Sequence, residues 1–290
     1  MPSLPQEDLD LIRCPRCGGS LEPTSGSLRC VRCQAIYEVR GGIPDLLPWS
    51  GGVAGQEWAR WRERLDAVRS GGRGPLAQRE IAEDVAAEFF KFARVPETGT
   101  VLDIGCGSTA LRRYVPRRRY WGLDPLAGMA AMAAMAPAPT AAGAHADGVV
   151  LVRGIGERLP LADASFDTVL VCETLDQTLD PAQVIREAHR VLKQGGLLAV
   201  MQSVRLEMPR PSLGTRFWSA ATRSASRLAG NPAGAPGQDT AHAIGQDDLS
   251  GMVKAEMLVE SGITRGTVMF LRALKQDLAA PRRPKRDVGA

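Results

Sequence analysis

The stretch Val101-Leu102-Asp103-Ile104-Gly105-Cys106-Gly107 constrains the fold of this chain more than any other. A short run of buried-strand character carries one acid and ends in two glycines spaced by one residue. Glycines at the end of a buried strand permit a tight turn and let the backbone approach a ligand closely. The strand–turn–helix rhythm then repeats to about residue 203. Thr100 to Ile104, Tyr120 to Leu123, Val149 to Val152, Thr168 to Val171 and Leu197 to Met201 read as strands, and Pro181 to Leu192 as a helix. Strands alternating with helices predict an α/β fold, a parallel sheet covered on both faces. Ile81, Val85, Phe89 and Phe92 recur at helical spacing ahead of the first strand, with Glu80, Glu83, Asp84 and Glu88 on the other faces. Downstream, Asp247 to Glu260 reads as a helix ending at Gly262, and Thr267 to Leu271 as a late strand.

Asp124 closes the second strand, 19 residues after Gly105. That is the spacing expected of an acid that accepts ribose hydroxyls. Two cofactor classes use such a layout. Gly105-Cys106-Gly107-Ser108-Thr109-Ala110 formally matches the dinucleotide fingerprint, and a nicotinamide-dependent oxidoreductase is one reading. Asp103 argues against it, because a carboxylate would repel a pyrophosphate over the turn. S-adenosylmethionine (SAM) presents an amino group and a sulfonium there instead, which an acid can hold.

The chain has six cysteines, and four of them fall in one short stretch with the spacing C-x2-C-x12-C-x2-C: Cys14, Cys17, Cys30 and Cys33. Each pair can form a tight knuckle, and four thiolates complete the closed tetrahedral shell of a structural zinc site. Such a shell leaves no open position for substrate, so the metal serves folding rather than chemistry.

Composition sets further limits. The 290 residues suffice for one α/β domain and a small accessory module. A net charge of +4 is too weak to argue for nucleic acid by itself. No apolar run approaches the roughly 20 residues needed to span a bilayer, so no membrane partner is expected. The polar start of the chain does not read as a signal peptide, and a cytoplasmic, reducing location is the default expectation. The expected boundaries are a zinc ribbon at 1–48, a helical connector at 49–96, and the main domain at 97–275 with an insertion at 204–245. A basic tail follows at 276–290.

Two further segments complete the pattern: Gly154-Ile155-Gly156-Glu157-Arg158-Leu159-Pro160, and Arg186 to Gly196 before the fifth strand. With the glycine turn and Asp124, these ordered motifs resemble the class I SAM-dependent methyltransferases of the small-molecule type over about residues 98 to 203. The resemblance implies a Rossmann-like seven-stranded sheet with a C-terminal antiparallel hairpin. It implies that Asp103, Gly105, Cys106 and Gly107 cradle the methionine part of SAM, and that Asp124 and Pro125 border the ribose. Ile155, Gly156 and Glu157 would line the adenine pocket, and Cys172 and Glu173 would face cofactor and substrate. Where the family usually has a third glycine, this chain has Thr109. The N-terminal segment resembles the small zinc-ribbon proteins that activate methyltransferases. A similar ribbon precedes ribosomal RNA guanine methyltransferases, although a histidine is usual among their ligands and the fourth ligand here is Cys33.

The resemblance implies a small-molecule methyl acceptor, with RNA as the alternative partner. A non-enzymatic homologue, suggested by Thr109, is a third reading. His242, at the end of the insertion and just before Asp247 and Asp248, is the candidate general base. His189 reads as structural and His145 as solvated. Arg117, Arg118 and Arg119 read as a solvated turn. Met129, Met132 and Met135 read as a helix face, and Trp58 and Trp61 as packing residues.

Overall fold

The computed structural model describes residues 4–48, 81–116, 119–126, 149–205 and 244–276. Most of the expected connector, the insertion, the tail, Trp58, Trp61, Met129, Met132, Met135, His145 and His242 lie outside the described residues.

The chain begins with a single-turn helix α1 (Gln6–Leu9) and four short strands: β1 (Leu21–Thr24), β2 (Ser27–Cys30), β3 (Ile36–Arg40) and β4 (Ile43–Pro44). They form one antiparallel sheet in the order β1-β2-β3-β4. Beyond it lie α2 (Glu83–Ala93), β5 (Thr100–Ile104), β6 (Arg119–Asp124), β7 (Val149–Arg153), β8 (Phe166–Cys172) and α3 (Pro181–Val191). The described chain closes with β9 (Leu192–Ser203), α4 (Gln246–Glu256), β10 (Leu258–Arg265) and β11 (Val268–Leu274).

The large sheet has seven strands in the order β10-β11-β9-β8-β5-β6-β7. Strands β5 to β9 pair in parallel, while β11 runs antiparallel to both β9 and β10. The expected Rossmann-like methyltransferase sheet is therefore present, with its C-terminal hairpin. From β5 the chain winds outward through β6 to β7, then returns to the other side of β5 with β8. The gap between β5 and β8 is the topological switch point, where ligands settle outside the carboxyl ends of the strands.

Alternation along the central strands sends side chains to two faces. Leu102, Ile104, Trp121, Leu123, Val169 and Val171 face one core, which α3 and α4 cover. Val101, Leu170, Cys172, Ala199 and Phe270 face the other, which α2 covers with Ala86, Phe89 and Ala93. Helix α3 starts cleanly because Pro181 follows an N-cap, Asp180, whose side chain accepts from Gln183 N at 2.9 Å. Helix α2 ends at Arg94 in the left-handed region, φ +47°, and Arg272 Nη1 satisfies the orphan carbonyl of Ala93 at 2.6 Å.

Two expectations need correction. The helix expected over Asp247 to Glu260 stops at Glu256, and Leu258 to Arg265 is strand β10. Gly262 does not end a helix. It pairs with Leu271, whose Cδ2 would lie 2.7 Å from any Cβ placed there. Pairing with β11 has overridden the local helical spacing. Arg119 is not a solvated turn residue: it opens β6, with Nη1 2.9 Å from Glu7 and Nη2 2.5 Å from Asp8. Burial pushes the Asp8 carboxyl upward even with this guanidinium beside it.

The N-terminal module is joined to the main sheet without a break in the core. Leu9, Ile12, Tyr37 and Leu46 share one buried cluster with Trp121, Val152 and Leu161. Arg13 N donates to Pro160 O at 2.9 Å, and Ala162 N to Leu11 O at 2.8 Å. Asp45 lies parallel to Arg153 on the edge strand β7, and Leu46 N donates to Arg153 O at 2.8 Å. The Arg153 guanidinium binds Asp45 Oδ2 at 2.5 Å and Pro125 O at 3.0 Å, so one side chain ties the module to the end of β6.

Candidate functional site

The four cysteine sulfurs Cys14, Cys17, Cys30 and Cys33 lie within 4.8 Å of one another. Cys14 and Cys33 are 3.6 Å apart and Cys17 and Cys30 3.5 Å. A tetrahedron with Zn–S of about 2.3 Å has sulfur edges of about 3.8 Å, so the residues present fit zinc. The two knuckles repeat one backbone pattern. Gly18 N donates to Cys14 O at 2.8 Å, and Gln34 N to Cys30 O at 3.0 Å. Gly19 is required by proximity: a Cβ there would stand 3.1 Å from Cys30 Sγ and 2.9 Å from Arg32 Cβ. Tyr37 Oη lies 3.0 Å from Cys14 Sγ, a contact that the cysteine spacing did not reveal.

At the switch point two turns interlock. The first follows β5. Gly105 has φ +76°, and its N–H donates to Leu123 O at 2.8 Å. A Cβ at Gly105 would meet Thr174 Oγ1 at 2.3 Å. The second follows β8, where Glu173 has φ +50° although it is not glycine. Thr174 Oγ1 donates to Ile104 O at 3.2 Å and Cys172 O at 2.9 Å, filling the space that Gly105 leaves. Gly107 differs: a Cβ there would meet nothing within 4 Å. The two glycines therefore do separate jobs. Gly105 admits a neighbouring turn, and Gly107 leaves the backbone open.

Asp124, 2% exposed, holds the glycine turn to the end of β6. Its Oδ2 accepts from Gly107 N at 3.0 Å and its Oδ1 from Leu126 N at 3.0 Å. Asp103 accepts from Tyr120 Oη at 2.6 Å, and burial pushes its carboxyl up to about 7 against that hydrogen bond. Tyr120 reaches it diagonally, because the residue directly opposite Asp103 is Gly122. Burial likewise raises the Cys172 thiol well above its ordinary range. Glu173 Oε1 accepts from Ser203 Oγ at 3.0 Å, which draws the end of β9 into the same place.

The structure brings Asp103, Gly105, Cys106, Gly107, Asp124 and Pro125 together around the ends of β5 and β6. Cys172 and Glu173 stand across the switch point. Gly156 packs tightly between Ile104 and Val184, where a Cβ would lie 3.0 Å and 3.2 Å from their methyls. The Glu157 carboxylate turns to the start of α3 and accepts from Leu179 N at 2.7 Å. Sequence reading missed Tyr120 and Ser203. The only local signal for Tyr120 was Gly122, two residues on.

Thr109, where the family has glycine, adopts φ +61° and is 3% exposed, with its N–H on Cys106 O at 2.7 Å. The turn thus keeps a glycine-like path with a β-branched residue. Relief of strain in Thr109→Gly, about 1–2 kcal/mol, is offset by lost packing and greater unfolded-chain entropy. The variant is expected to stay within about 1 kcal/mol of the parent in denaturant unfolding. A stabilisation well above that would show that Thr109 is tolerated rather than accommodated.

Comparison with known proteins agrees with this architecture. Residues 102–200 match the family described as "Methyltransferase domain". A demethylmenaquinone methyltransferase of Listeria monocytogenes is 33% identical over 127 residues, covering 42% of this chain and 52% of that protein. A ubiquinone/menaquinone biosynthesis C-methyltransferase of Rubrivivax gelatinosus is 36% identical over 147 residues, covering 47% and 55%. The chain therefore spans about half the length of the curated relatives it matches. Among solved structures, N-methyltransferase NodS of Bradyrhizobium japonicum in complex with S-adenosyl-L-homocysteine has TM-score 0.50 at 12% identity, covering 74% of this chain and 97% of that one. The [4+2]-cyclase SpnF has TM-score 0.50 at 18% identity, covering 82% and 99%. At such identities these structures speak for the fold alone. No described helix is long and apolar enough to cross a membrane. The sheet order, the glycine turn and the match over residues 102–200 agree on a methyltransferase domain of Rossmann-like fold, behind a four-cysteine ribbon whose sulfurs fit a zinc ion.

Proposed function

We propose that this protein methylates a small-molecule acceptor with SAM, and that its ribbon carries one structural zinc ion on Cys14, Cys17, Cys30 and Cys33. The observation that carries the reading is the pair of interlocked turns at the switch point, with Asp103 and Asp124 at the ends of adjacent strands. When bound there, SAM supplies an electrophilic methyl group on a sulfonium. Asp124, held at the end of β6 by Gly107 N and Leu126 N, is the acid that accepts from the ribose hydroxyls. Asp103 offers a carboxyl to the cationic part of the cofactor. The backbone at Ile155 and Gly156 borders the adenine, and Cys172 lines the site as a neutral thiol. Glu173, fixed by Ser203, stands on the acceptor side, where it can orient the acceptor or take up its proton. His242 is a second candidate for that proton. The similarity to quinone methyltransferases supports a small-molecule acceptor over RNA.

Titration calorimetry of the zinc-loaded protein with SAM, against NADH, tests the cofactor assignment. SAM is expected to bind and NADH not. Asp124→Ala removes two charge-assisted hydrogen bonds, about 3 kcal/mol in all, and is expected to weaken SAM by about 100-fold. NADH binding in place of SAM would overturn the reading.

A further inference from the structure

Asp103 and Asp124 sit on adjacent strands, yet the protein treats them differently. Asp124 has two backbone donors on its carboxylate. Asp103, 1% exposed, has among the described side chains one neutral phenol, Tyr120 Oη at 2.6 Å. No cation among the described residues pairs with Asp103. The titratable groups facing it are Tyr120 and Asp124 from β6 and Cys172 from β8. Cys106 approaches Tyr120 from the glycine turn, and Glu173 stands beyond Cys172. The covering side chains of α2, β9 and β11, namely Ala86, Phe89, Met201 and Phe270, are apolar. Among the described residues, the charge that acts on Asp103 from this surrounding is the negative one of Asp124.

We infer that Asp103 and Tyr120 form a proton-linked receptor for a cation, in which the carboxyl is neutral without ligand and gives up its proton when a cationic ligand enters. The inference rests on the proposed cofactor, whose ammonium and sulfonium are the cations concerned. The step is an acid dissociation: the Asp103 O–H bond breaks, the proton leaves to solvent, and no bond of the ligand changes. A carboxyl kept neutral also explains how the protein tolerates an acid in the middle of its sheet, since an unpaired buried charge is far costlier than a hydrogen-bonded neutral group. Burial holds the carboxyl near 7 in the free protein, so the proton is half present at neutrality and nearly fully present a unit below it. A bound cation lowers that value. Affinity for SAM therefore rises with pH up to about neutrality and levels off above it. Tyr120 is a positioning residue: its hydroxyl favours the ionised form, and its loss moves the break to higher pH.

The test is SAM calorimetry on the full-length, zinc-loaded protein at several pH values, each in two buffers of contrasting ionisation heat, which counts protons released. Release of about one proton per SAM at pH ~6, near zero at pH ~8.5, and a roughly tenfold loss of affinity per unit below the break are expected. In Asp103→Asn both the release and the break vanish. In Tyr120→Phe the break moves upward. SAM binding without proton release at pH ~6, or release that persists in Asp103→Asn, overturns the inference and leaves the cofactor assignment standing. A Tyr120→Phe protein with affinity lowered equally at every pH overturns the role given to Tyr120. Absence of SAM binding at every pH removes the inference together with the cofactor assignment.

Discussion

Removing zinc from the ribbon is expected to lower the melting temperature of the whole described body, not of the ribbon alone. Without a metal the four cysteines revert to thiols with no common ligand to hold them together, and a module with so small a core draws most of its folding energy from the ion, about 10–16 kcal/mol in isolated zinc peptides. The consequence travels because the ribbon shares its buried cluster with the main sheet. Ile12 and Leu46 are both 0% exposed, and both pack into that shared core. Uncovering these two side chains costs about 4 kcal/mol at roughly 2 kcal/mol each, a fall in Tm of about 8–16 °C. Chelation followed by calorimetry checks it, and Cys33→Ser should reproduce it without chelator. Zinc removal that leaves Tm unchanged would mean that the cysteines do not hold a structural ion.

Gly105→Ala is expected to be far more damaging than Gly107→Ala, although both glycines have positive φ, +76° and +49°. A left-handed backbone costs any L-residue about 1–2 kcal/mol. Gly107→Ala bears that alone, because its Cβ would enter open space. At Gly105 the new methyl would lie 2.3 Å from Thr174 Oγ1 and 2.5 Å from Thr174 Cγ2. Thr174 cannot move freely, since its hydroxyl is bonded to Ile104 O and Cys172 O. Overpacking adds about 1–3 kcal/mol, so Gly105→Ala should lose about 3–4 kcal/mol in all and displace Glu173 with its turn. Urea unfolding of the two variants measures the difference. Equal destabilisation would show that the turns are not interlocked.

The central strands were legible because parallel strands buried on both faces are written as apolar runs with little ambiguity, as in Val169, Leu170 and Val171. The acid and glycines of the first turn, Asp124 and the four cysteines were legible because each needs a fixed residue type at a fixed spacing. Pairings between distant residues were not. Arg119 meets Glu7 and Asp8 from across the chain, and nothing local distinguishes it from a solvated arginine. Tyr120 is read as an aromatic strand residue until Gly122 is seen to clear its path to Asp103. The end of α4 was misplaced because Leu258 and Val259 continue a helical spacing, and only β11 turns them into a strand.

The docking of Asp45 and Leu46 along β7 also bears on how the molecule keeps to itself. An exposed sheet edge is a template on which another chain can add a strand. At the end of β7 the chain has supplied its own addition, so part of that edge offers no free ladder to a stranger. The opposite edge, β10, is defended by other means. Its register slips between Val259 and Ser261, and Glu260 and Arg265 carry charges along it, paired with Arg272 and Glu88. A break in register and a row of charges both discourage strand addition. A preparation stripped of its ribbon would lose the first of these defences, and self-association through β7 is the failure to expect of it.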